Sequence, residues 1–94
     1  MLRLRYYAES KDDLKRIARF IATDTPVTAR QWVAKIREKC RIVAQHPEVG
    51  DSRPEFGKNM RSTYVGSYVI FFRRADGFVD IVRVICGDRD TRSL

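Results

Sequence analysis

Apolar and polar residues alternate at the start of the chain. Leu2, Leu4 and Tyr6 interleave with Arg3, Arg5 and Tyr7, the period-two pattern of a short half-buried strand. The period then changes. Leu14, Ile17, Ala18 and Ile21 fall at i, i+3, i+4 and i+7, which lays one apolar stripe along a first helix. Ser10 and Asp13 have capping-box spacing at its start, and Asp12 and Asp13 lie where the positive end of a helix dipole favours carboxylates. Asp24-Thr25-Pro26 breaks and restarts the chain, with Thr25 placed to cap and Pro26 suited to a first helical position. Ala29, Val33, Ile36, Cys40 and Val43 form the stripe of a second helix, which His46-Pro47 ends. So short a link makes the two helices antiparallel neighbours, a helical hairpin.

Residues 47–59 carry two prolines and two glycines and predict an irregular loop. Beyond them MRSTYV, YVIFFRR and FVDIVRVIC predict three strands, joined through Gly66-Ser67, suited to a type II′ turn, and Asp76-Gly77, suited to type I′. The order β-α-α-β-β-β predicts an α+β fold: an N-terminal strand, then an antiparallel helical hairpin packed on one face of a small, mainly antiparallel sheet, one domain over residues 1–94.

The two turns set a register. Val65 then faces Tyr68, Arg61 faces Phe72, Arg73 faces Asp80 and Ile70 faces Arg83. One face carries Arg61, Thr63, Val65, Tyr68, Ile70, Phe72, Ile81, Arg83 and Ile85; the other carries Met60, Ser62, Tyr64, Val69, Phe71, Arg73, Asp80, Val82, Val84 and Cys86. Both are largely apolar, and one hairpin covers one face. The first set is expected to stay open as an aromatic and aliphatic surface set with cations, the mark of an interaction site. A one-residue slip at either turn exchanges the faces.

Charge narrows the partner. The 94 residues carry 19 cations against 12 acids, net +7, and 14 of the cations are Arg, whose guanidinium pairs bidentately with carboxylate or phosphate. An acidic protein segment and a nucleic acid both fit. Cys40 and Cys86 lack metal-site or redox spacing, which predicts two free thiols in a reducing cytoplasm, with no metal and no cofactor. No apolar run approaches the ~20 residues that span a bilayer, and MLRLRYYAES lacks the apolar core of a signal peptide.

Catalysis finds little material. Cleaving RNA through its 2′-hydroxyl needs a base, an acid and cations on the phosphorane. Arg61 and Arg83 would serve as cations, but the single histidine, His46, sits at a helix end before Pro47, and Lys58 is the only lysine in the second half. Tyr64 and Tyr68 read as strand residues with phenols that ordinarily titrate near pH 10. No Gly-rich phosphate loop or helix-turn-helix spacing is present.

DDLKRIARFIATDTPVTARQWVAKI, the HPEVG turn, MRSTYVGSYVIFFRR and VDIVRVICGDRD, in that order and spacing, resemble the ParE branch of the RelE/ParE toxin superfamily over almost the whole chain. The resemblance implies the toxin half of a type II toxin–antitoxin pair, a non-enzymatic inhibitor of DNA gyrase silenced by the acidic C-terminal segment of a ParD-like antitoxin. The alternative within the superfamily is a RelE-type ribosome-dependent mRNA endonuclease; a third reading is a degenerate toxin that binds only its antitoxin. Arg83 matches an Arg that such toxins carry on the last strand. Gly87 to Asp90 match the Gly-x-Arg-Asp at the start of a C-terminal tail implicated in toxicity in some relatives, and Cys86 stands where many relatives have His. The expected binding residues are Arg61, Tyr68, Ile70, Phe72, Ile81, Arg83, Arg89 and Trp32.

Overall fold

The computed structural model describes residues 2–87. Strand β1, Arg3–Tyr6, leads into helices α1, Ala8–Ala22, and α2, Pro26–Gln45. Strands β2, Asp51–Ser52, β3, Met60–Val65, β4, Tyr68–Ala75, and β5, Phe78–Cys86, follow, with a single 3-10 turn at Pro54–Phe56 between β2 and β3. The sheet order is β1-β5-β4-β3-β2. β1 lies parallel to β5, with Arg3 beside Phe78 and Tyr6 beside Ile81, and the other pairs are antiparallel.

Both hairpin turns are of the expected types. Gly66 sits at φ 56°, as the first central residue of a II′ turn requires, and Asp76 and Gly77 sit at φ 52° and 80°, the two left-handed residues of a I′ turn. Pro26 opens α2 and His46 closes it, as expected. α1 starts earlier than the Ser10–Asp13 spacing predicts. Its cap position is the extended Tyr7, and Ser10 Oγ donates to the Tyr7 carbonyl at 2.8 Å, so no capping box forms and Asp13 is left for another role. The segment 47–59 is more ordered than expected, because Asp51 and Ser52 add a two-residue strand against Ser62 and Arg61.

The β3–β4 register is the expected one, but β4–β5 is not. Phe72 faces Ile81 while Phe71 faces Arg83, so Val82 is an extra residue, a β-bulge. From there to its end β5 exchanges faces: Val84 joins Ile70, Phe72 and Ile81, whereas Arg83 and Ile85 join Phe71 and Val69.

The helices cover the face on which Ile70, Phe72 and Ile81 stand. All three are fully buried, packed with Val79 and Val84 against Leu14, Ile36, Cys40, Val43 and Ala44. The expectation that Ile70, Phe72 and Ile81 form an open binding surface is therefore corrected. Their face is the more apolar one, and burying it removes the larger area from water. Leu2, Leu4 and Tyr6 close the rim of the core. Burial pushes the Cys40 thiol up to about 11, and it raises the phenol of Tyr6 beside it as well.

Candidate functional site

The sheet face away from the helices carries a second, smaller apolar cluster of Met60, Val69, Phe71 and Ile85, with Val82 packed against it. Its strands present a groove of about 330 Å³, floored by Met60, Phe71, Val82 and Ile85 and walled by Phe56. Phe56 comes from the Pro54–Phe56 turn and meets Phe71 edge-on, centroids 5.2 Å apart at 77°. The turn is held down by Arg53 N–H donating to the Met60 carbonyl at 2.8 Å. Arg16 and Arg83 complete the lining.

Arg83 is held in place by an acid from α1. β1 stops pairing at Tyr6, opposite Ile81, so among the described residues β5 has no strand neighbour on that side from Val82 onward. Asp13 fills this gap. Its Oδ2 accepts the Val84 backbone N–H at 2.9 Å and Arg83 Nε at 2.7 Å, while Oδ1 accepts Arg83 Nη2 at 3.0 Å and Arg16 Nη1 at 3.2 Å. The carboxylate is 1% exposed whereas the Arg83 side chain is 43% exposed. One edge of the guanidinium is thus tied to the fold, and the side chain also lines the groove, a cation held in a fixed orientation.

A second cationic group lies along the same face. Asp80, 1% exposed, accepts Arg5 Nε at 2.6 Å and Nη2 at 3.2 Å, and Arg5 also lies over the Phe78 ring at 3.9 Å. The hydrogen bond to Asp80 raises the Arg5 guanidinium above its already high ordinary value. Arg73 donates from Nη2 to the Tyr7 hydroxyl at 2.9 Å.

The model of the ParE toxins of type II toxin–antitoxin systems, parDE, matches residues 4–91. The chain belongs to the ParE toxin family. A solved chain of the chromosomal ParDE toxin–antitoxin system from P. aeruginosa shares its fold with TM-score 0.75 at 22% identity, over 89% of this chain and 94% of that one. A chain of the RelBE2 toxin–antitoxin complex from Mycobacterium tuberculosis aligns with TM-score 0.64 at 23% identity, over 88% and 94%. No curated protein matches the chain.

The ParE-type fold scatters the binding residues expected from sequence. Arg83 reaches the groove because of the bulge. Arg61 instead clamps the loop after α2, donating to the carbonyls of Glu48 at 2.8 Å, Gly50 at 2.9 Å and Val49 at 3.4 Å. Trp32 and Tyr68 pack together on the helix side, edge to face at 5.6 Å, with the indole over Gly66. Arg89 lies outside the described residues.

The groove residues Phe56, Met60, Phe71, Val82 and Ile85, with Arg16, were missed as binding candidates. A signal was available: Ser62, Tyr64, Arg73 and Asp80 share a strand face with Met60 and Phe71, and a face that holds so many polar groups is the one a helical hairpin leaves uncovered. The switch of Ile85 has no such signal, since a bulge has no fixed sequence mark. His46 ends α2, and its backbone N–H donates to the Ile42 and Val43 carbonyls. Tyr64, 51% exposed, accepts Arg53 Nη2 at 3.2 Å.

Proposed function

We propose that this ParE-family chain acts by binding: it traps DNA gyrase with its DNA cleaved, and it is silenced when the acidic segment of a ParD-like antitoxin lies in the groove on the sheet face away from the helices. Membership of the ParE family supports the gyrase target. The partner chemistry follows from one observation, an apolar groove edged by a guanidinium that Asp13 has already oriented. An occupant with apolar side chains for Phe56 and Val82, above the buried Met60, Phe71 and Ile85, and a carboxylate for Arg83 meets both halves of that surface. A binding role also suits the groove's lining of aliphatic, aromatic, thioether and guanidinium groups, none of which exchanges protons near neutral pH.

The test adds the purified chain to gyrase, ATP and supercoiled plasmid, denatures the protein, and looks for linear DNA. Linear product that needs the chain and disappears when antitoxin is added first is the expected result. Unchanged plasmid, together with mRNA cut in a translating extract, would replace the proposal with a RelE-type nuclease.

A further inference from the structure

Arg73 and Asp80 face each other across β4 and β5, and their opposite charges predict a pair. The pair does not form. Arg5 holds Asp80 from its other side through two hydrogen bonds, at 2.6 and 3.2 Å. Among the described residues Arg73 keeps the one hydrogen bond to the Tyr7 hydroxyl, with its guanidinium 5.9 Å from the Tyr7 ring, and its Nε is buried without an acceptor. Of the other part-buried arginines among the described residues, Arg53 and Arg83 each have a carboxylate within 4.0 Å and Arg61 donates to three carbonyls.

A permanently charged group with an orphaned buried donor lowers stability. Nothing in the packing requires it, because a Met side chain would cover the same strand surface and leave no donor unpaired. Arg73 also stands in a telling place. Met60, which floors the groove, is its cross-strand neighbour on β3, and Phe71 lies two residues back on the same face, roughly 7 Å along β4. A guanidinium with no carboxylate within 4.0 Å among the described residues, on the strand face that carries the apolar groove of a chain of net charge +7, is complementary to an acidic segment.

We infer that Arg73 is a specificity-determining anchor of the antitoxin interface, taking a carboxylate of the acidic segment that lies along the groove. This rests on the antitoxin reading of the groove. The carboxylate supplies the acceptor that Asp80 cannot, and the stability lost in the free chain is recovered in the complex.

The test measures two quantities on Arg73→Met and Arg73→Lys: Kd for a purified ParD-like antitoxin, by calorimetry, and Tm of the free chain. For Arg73→Met, Kd is expected to rise roughly tenfold to a hundredfold, as for the loss of a charged hydrogen bond, while Tm stays equal to or above that of the parent. Arg73→Lys, which keeps the charge and loses the fork, is expected to fall between. A lower Tm for Arg73→Met would assign the residue to the fold and overturn the inference. An unchanged Kd would overturn it too and leave the occupied groove standing. An unaltered chain that does not bind the antitoxin would remove the antitoxin reading and the inference together.

Discussion

Replacing Asp13 with Ala tests how the upper half of β5 is held. The carboxylate is 1% exposed and takes the place of the strand neighbour that, among the described residues, β5 lacks beyond Ile81. Its removal leaves the Val84 N–H, bonded at 2.9 Å, without an acceptor, a loss of about 1.5–3 kcal/mol for a charge-assisted bond to a buried donor. The Arg83 fork adds less. That side chain is 43% exposed and can turn to water, so solvent screening reduces its share to about 0.5–1 kcal/mol. Arg16, 70% exposed, adds nothing measurable. The total is about 2–4 kcal/mol, a Tm fall of roughly 10–25 °C for a domain of this size. Asp13→Asn keeps an oxygen for Val84 but turns an amide towards Arg83, and is expected to cost about half as much. Urea unfolding followed by Trp32 fluorescence gives the free energies, and amide exchange at Val84 locates the effect. A loss below about 1 kcal/mol, or unchanged Val84 protection in Asp13→Ala, would refute the idea that this carboxylate stands in for a strand.

Phe72→Ala empties a fully buried site and is expected to cost about 3–5 kcal/mol, read by urea unfolding; a loss under about 1 kcal/mol would return Phe72 to the surface. Gly66→Ala places a Cβ 2.6 Å from the Trp32 ring at a backbone φ of 56°, so a loss of about 1–3 kcal/mol with a shifted Trp32 emission is expected, and an unshifted spectrum at unchanged stability counts against that contact. At pH 8 a disulfide reagent is expected to modify the partly exposed Cys86 quickly and the buried Cys40 only on unfolding; equal rates would contradict the Cys40 environment. The same burial makes stability pH-dependent. The folded thiol titrates near 11, above its ordinary value near 9, so its stabilisation is complete below pH 9 and is lost as pH rises towards 11, on the order of 2 kcal/mol. Cys40→Ala should flatten that alkaline decline.

Much of the fold is legible because its signals are local. The Leu14–Ile21 and Ala29–Val43 stripes specify helices through a 3.6-residue period, and Gly66-Ser67 and Asp76-Gly77 specify turns because few residues tolerate positive φ. The ParE resemblance is legible for a related reason: it lies in the order and spacing of such segments along the whole chain.

What the tertiary structure alone decides depends on contacts between residues far apart in sequence. Asp13 reads as a capping acid, since nothing near it shows that β1 ends early enough to leave Val84 without a partner 71 residues away. Arg73 and Asp80 read as a pair, because the competing Arg5 arrives from the other end of the chain. The expectation of exposed Ile70, Phe72 and Ile81 fails for the same reason. The period of a strand is two, so the extra residue at Val82 carries Arg83 and Ile85 across the sheet, and only the helical hairpin packed on the sheet shows which side is closed. Local chemistry thus determined the elements and their turns, and long-range packing decided which of their faces the helices cover.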